Sequence, residues 1–127
     1  QLMFRKPLPD FPMPRVGAGC PLWPLYRALN RPFVILSAPL IQSGRQGSTL
    51  WADAVAVPRG PAVPSRDPLY TAQMLVRALP RGTETPPPQE VGSTCRICPR
   101  SRCPARREPS VLTGPRVGAF DAGGQRL

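Results

Sequence analysis

The chain has no histidine among its 127 residues, so the commonest general base and metal ligand is missing. Acids are few: Asp10, Asp53, Asp67, Glu84, Glu90, Glu108 and Asp121 are scattered, with no close pair for acid–base work. No Gly-rich phosphate loop follows a strand. Gly17-Ala18-Gly19 runs straight into Cys20-Pro21, with neither a third glycine nor a following helix. These absences argue against an enzyme, and no small-molecule substrate is expected. Long apolar runs are missing too. The longest uncharged stretch beside an apolar run, residues 32–44, has Pro39 inside it and falls short of the roughly 20 residues of a transmembrane helix. No apolar segment follows Arg5-Lys6, so no signal peptide is visible. The start at Gln1 fits a chain trimmed by a processing protease and equally a fragment.

What is present is proline, glycine and arginine. Proline (20) and glycine (11) make up about a quarter of the chain, a composition near that of low-complexity sequence. Seventeen basic residues against seven acids give a net charge of +10, and all but Lys6 are arginine. Such an imbalance predicts a polyanionic partner, and arginine's planar fork suits RNA phosphates and bases. GC-rich codons are the better explanation for the choice of arginine over lysine, though not for the net charge: Gly, Ala, Arg and Pro total 59 residues, against 14 of Phe, Tyr, Met, Ile, Asn and Lys.

The sequence predicts a mostly irregular, extended chain with a few short α-helices, one short strand and little independent core. Residues 1–24 carry six prolines interleaved with apolar side chains and read as an extended arm lying on a partner. Residues 25–82 hold short helical and apolar segments, 83–90 a Pro-rich spacer, and 91–127 an Arg- and Cys-rich basic tail. A turn or two of helix is expected over 24–30, with Pro24 at its first position. Phe33–Leu36 is the most strand-like run. Residues 50–57 fit both periods, and the Ser48 or Thr49 cap favours a short helix there. The best helix is expected over 67–80, with Asp67 as N-cap, Pro68 next, and Leu69, Ala72, Leu75 or Val76, and Leu79 at helical spacing. Phe4, Phe11, Trp23, Leu69, Leu75 and Leu79 are the expected anchors on neighbouring proteins.

Cys95-Arg96-Ile97-Cys98 followed by Cys103 spells C-x2-C-x4-C, and the C-x2-C half is the usual turn around a tetrahedral metal. These positions resemble the start of a retroviral-type zinc knuckle. Cys103 stands where that family's His would be, and its last Cys is missing. With no His in the chain, a fourth ligand for a structural zinc could come only from Cys20, 75 residues upstream. A disulfide or redox pair and inert thiols are the competing readings. Arg96, Arg100, Arg102, Arg106 and Arg107 surround the cysteines with no acid among them, the pattern of an RNA- or phosphate-binding segment. The expected function is therefore a non-catalytic structural subunit of a large ribonucleoprotein, most plausibly a mitochondrial or other organellar ribosomal protein, bound to rRNA and to several protein subunits. The alternatives are a supernumerary subunit of a protein-only organellar membrane complex and a disordered product of a GC-rich reading frame.

Overall fold

In the computed structural model, residue 6 and residues 8–9, 11–13, 19–44 and 49–113 are described. Phe4 and the tail beyond residue 113 lie outside them. The elements run α1 (Pro24–Ala28), β1 (Leu36–Gln42), β2 (Leu50–Pro58), β3 (Tyr70–Ala78) and β4 (Gln89–Val91), followed by a 3-10 turn at Cys95–Ile97. The strands form one mixed sheet in the order β3-β2-β1-β4; β3–β2 and β2–β1 are antiparallel, and β1–β4 is parallel.

This architecture overturns the expectation of an irregular, helix-dotted chain with little core. The segment expected as the best helix is β3, paired with β2 at nine successive positions from Leu50↔Ala78 to Pro58↔Tyr70. Leu69, Ala72, Leu75 and Leu79 do repeat at helical spacing. Yet Ala72, Met74 and Val76 also alternate, and those three turn towards the core while Leu75 stays 70% exposed. The nine-residue partner decides between the two periods, because a ladder satisfies every amide of β3 that faces it. Residues 50–57 are a strand for the same reason. Leu50, Ala52, Ala54 and Ala56 are buried, and Trp51, Asp53 and Val55 lie half-buried on the other face.

The strand expected over 33–36 begins only at Leu36 and runs through Pro39 to Gln42. Phe33 instead follows Pro32 in a turn, at φ +68°, the left-handed position of a type II turn. Pro39 is tolerated because β4 pairs only with Leu40–Gln42, leaving one side of Pro39 without a ladder partner. The expected helical turn does form as α1, with Pro24 at its first position.

Three small residues of β2 set the depth of the core. Ala54 and Ala56 meet Ala28 of α1, so helix and sheet approach closely. Beside them Trp23, Leu40, Leu50, Ala52 and Val91 close a second cluster together with Phe11 and Cys20. Trp23, at the N-cap of α1, is wholly buried. Its ring lies 5.3 Å from that of Phe11 and 6.3 Å from that of Tyr26. Phe11 and Trp23, expected as anchors on a partner, thus fill this chain's own interior. Leu69 and Leu75 are exposed, and Leu79 is half-buried.

Candidate functional site: a four-cysteine cavity

The Trp23 indole donates to the Gly92 carbonyl at 2.7 Å, a buried bond that ties α1 to the segment after β4. Three residues earlier, the Cys20 amide donates to Ser93 O at 3.0 Å. These two bonds carry Cys20 across 75 residues of sequence to the C-x2-C turn. Cys20, Cys95, Cys98 and Cys103 all line one cavity, together with Gly92, Arg100 and Arg106 among others. All four thiols are free, and Cys20 and Cys98 are buried.

Backbone amides point at the sulfurs. The amides of Gly92 and Leu22 donate to Cys20 Sγ, and the Arg107 amide lies 3.5 Å from Cys95 Sγ. At Cys20 such donors favour thiolate over thiol. At Cys20 burial nevertheless prevails and pushes the thiol pKa up, with the neighbouring Cys95 and Cys98 adding to the rise. Gly92 leaves room for the cluster: a Cβ there would stand 3.2 Å from Cys98 Sγ.

The arginines divide into two groups. Arg106 is spent on the loop itself. Its Nη1 donates to Cys95 O at 3.0 Å and to Glu108 O at 3.3 Å, and its Nη2 to Cys98 O at 3.5 Å and to Arg100 O. One guanidinium therefore holds the carbonyls of both C-x2-C cysteines, which makes it a positioning group. Arg100 reaches Glu90, at 4.0 Å from its carboxylate and 3.5 Å from its carbonyl. Arg107 lies over the Tyr26 ring, 5.8 Å from the centroid. Arg96 and Arg102 have exposed side chains with no hydrogen bond or ion pair among the described residues. Of the five arginines grouped by sequence, these two keep their charged heads available for an anion.

Cysteine spacing alone shows the C-x2-C turn, but nothing in spacing marks Arg106 as the clamp or Trp23 as the strut that brings Cys20 in. No three Cys, Asp or Glu side chains among the described residues are disposed to hold a single metal ion. The donor set is nonetheless all sulfur, which selects soft, thiolate-loving metals over hard cations.

A family model described as short-chain fatty acyl coenzyme A regulator, C-terminal, matches residues 3–121. The chain belongs to that family. The fold also resembles a solved Mycobacterium tuberculosis transcriptional regulator, with a TM-score of 0.65 and 24% identity over 84% of this chain. The chain spans about a third of that structure's length, 35%. No curated protein matches the chain.

Membership in a regulator family overturns the reading as a ribosomal or ribonucleoprotein subunit. The organellar location rested on that reading and falls with it, as do the rRNA and the ribosomal protein neighbours. The expectation of no small-molecule substrate is corrected as well, since the family's description names a short-chain fatty acyl coenzyme A. The physical cause of the error is plain. A basic, arginine-rich surface meets any phosphate, and composition does not say whether that phosphate belongs to RNA or to a nucleotide cofactor.

Proposed function

We propose that this chain is the effector-binding part of a transcriptional regulator, a non-enzymatic module whose ligand is a short-chain fatty acyl-CoA and whose response is passed to DNA binding. The observation that carries the reading is the family match over residues 3–121. The site supports it in two ways. Arg96 and Arg102 offer uncommitted guanidinium groups for the phosphates of a coenzyme A. No histidine and no paired carboxylates are present to turn a bound thioester over. The test is thermal unfolding with acetyl-CoA, free coenzyme A and inorganic phosphate. Acetyl-CoA at a hundredfold excess over its Kd would stabilise by about 2.7 kcal/mol, which for a domain of this size raises Tm by several degrees. Arg96→Ala with Arg102→Ala should abolish the shift. No shift with any acyl-CoA overturns the reading, and an equal shift with phosphate reduces it to general anion binding.

The cysteine cavity belongs to the same reading as a thiolate metal centre built from Cys20, Cys95, Cys98 and Cys103. Four cysteines, two of them met by backbone amides, suit zinc or an iron–sulfur cluster. Four cysteines with no histidine are the ligand set that iron–sulfur clusters commonly take. The bound group would supply a redox- or metal-dependent lock on the loop that carries Arg96 and Arg102. Binding must release the proton that burial holds on Cys20, so metal affinity is expected to rise with pH. Chain purified without oxygen should carry iron and sulfide with visible absorption, and Cys20→Ser should strip them. Stoichiometric colourless zinc would select the other metal, and metal-free chain under both conditions would overturn the centre.

A further inference from the structure

The C-x2-C segment is a single hydrogen-bonded turn. The Cys98 amide donates to Cys95 O at 3.3 Å, and the Ile97 amide donates to Thr94 O at 3.3 Å. A turn closed between residues three apart holds its end Cα atoms within about 7 Å, and in a 3-10 turn the side chains at those two positions stand over one another. A disulfide spans Cα separations of about 4.4–6.8 Å. Cys95 and Cys98 are therefore within reach of a disulfide through their own turn, and both line the cavity. Arg106, bonded to the carbonyls of both residues, holds that turn in place. The two thiols are unequal in access. Cys95 is half-buried, whereas Cys98 is 9% exposed and lies against Gly92.

We propose that Cys95 and Cys98 form a dithiol switch, closed by hydrogen peroxide to an intramolecular disulfide that takes two of the four thiols out of the cavity's ligand set. Peroxide meets the more accessible Cys95 first. The Cys95 sulfur, as thiolate, bonds to one peroxide oxygen; the O–O bond breaks, and the other oxygen leaves as hydroxide and takes up a proton to become water. The Cys98 sulfur then attacks the resulting sulfenic acid. The new S–S bond forms as the S–O bond breaks, and the hydroxide leaves with the Cys98 proton as a second water. One peroxide is thus reduced to two waters, while two thiols lose two electrons and both protons.

The other two cysteines are set apart from this pair. Cys20 is 6% exposed, comes from a distant segment pinned through Ser93, and already accepts from the Gly92 and Leu22 amides at its sulfur. Cys103 belongs to the next turn, closed by the Arg106 amide on Cys103 O at 3.2 Å. Formation of the Cys95–Cys98 bond rests on the turn alone, whereas its effect on metal rests on the thiolate centre proposed above. Metal ligation needs free thiolates, so the closed form keeps only two ligands. Its metal uptake should fall by about tenfold or more until a thiol reductant reopens the bond.

Peptide mapping of the full 127-residue chain tests the proposal. Cleavage after arginine places each cysteine on its own peptide: 16–27 for Cys20, 82–96 for Cys95, 97–100 for Cys98 and 103–106 for Cys103. The chain is stripped with chelator and reductant, freed of both without oxygen, and given one equivalent of hydrogen peroxide before the remaining thiols are alkylated. Peptides 82–96 and 97–100 should appear joined, two hydrogens lighter than their sum, with Cys20 and Cys103 alkylated. Cys103→Ser should leave that link unchanged. In Cys98→Ser, dimedone should instead capture a sulfenic acid on peptide 82–96. Four alkylated thiols, a link to Cys20 or Cys103, or a link between two chains overturns the proposal. Offering zinc, or ferrous iron with sulfide, to the reduced and the oxidised chain keeps the switch apart from the metal reading. Uptake by the reduced chain alone supports both. No uptake by either chain overturns the metal centre and leaves the disulfide standing, and equal uptake by both overturns the switch.

Discussion

Trp23→Ala is expected to cost about 3–5 kcal/mol, enough to unfold much of the population of a domain whose whole stability is about 5–15 kcal/mol. Two losses combine. The indole is wholly buried between Phe11, Leu40, Leu50 and Val91, and alanine leaves a cavity that the sheet cannot close, since β1 and β2 are fixed by their own ladder. The Gly92 carbonyl also loses its donor, and a buried acceptor left unpaired adds to the penalty. The other tryptophan is the control. Trp51 lies half-buried on the opposite face and donates to Asp53 Oδ1 at 3.2 Å, so Trp51→Ala should cost much less. Gly19→Ala should resemble Trp23→Ala in kind, because a Cβ at Gly19 would fall 2.3 Å from the indole ring. Urea denaturation of the three variants gives the order. Equal losses for Trp23→Ala and Trp51→Ala would show that the core does not rest on Trp23.

The position of Trp23 also marks where reading from sequence stops. Pro24 at the start of a short helix was legible, because proline's fixed φ and missing amide suit the first turn whatever surrounds it. The C-x2-C turn was legible for a similar reason, its chemistry being local. What local signals do not contain is the partner of a segment. Leu69, Ala72, Leu75 and Leu79 match a helix in isolation, and only the presence of β2 at matching length makes the same residues a strand. Trp23 in a Pro-rich arm reads as an anchor on another protein until β1, β2 and β4 are seen to wall it in. Arginine spacing has the same limit. Five of them in thirteen residues promise phosphate binding, but a guanidinium surrounded by backbone carbonyls is a structural group, and nothing in the sequence separates Arg106 from Arg102.

Arg106→Ala is therefore expected to act on the cysteine loop and not on anion affinity. The guanidinium bridges the carbonyls of Cys95, Cys98, Arg100 and Glu108. These bonds are charge-assisted, each worth about 1.5–3 kcal/mol to a charged donor, with the sum reduced by partial exposure and by water taking some of the acceptors. A loss of about 2–3 kcal/mol in stability is the expected net effect. The larger consequence is at the thiols. Without the clamp, the Cys95–Ile97 turn and Cys98 are no longer held against Gly92 and Cys20, and the entropy of reordering them would fall on the metal binding proposed for the four thiols. Losing hydrogen bonds that orient metal ligands typically weakens metal affinity by about 10–100-fold. Arg106→Lys should fail to rescue it, because a single ammonium cannot span four carbonyls as a planar fork does. Metal content after dialysis against a weak chelator, measured beside acetyl-CoA binding by the metal-loaded chain, separates the roles. Arg106→Ala should lose metal readily yet bind the thioester through Arg96 and Arg102 while metal is retained. Full metal retention with lost acetyl-CoA binding would instead place Arg106 at the phosphates and leave the loop to hold itself.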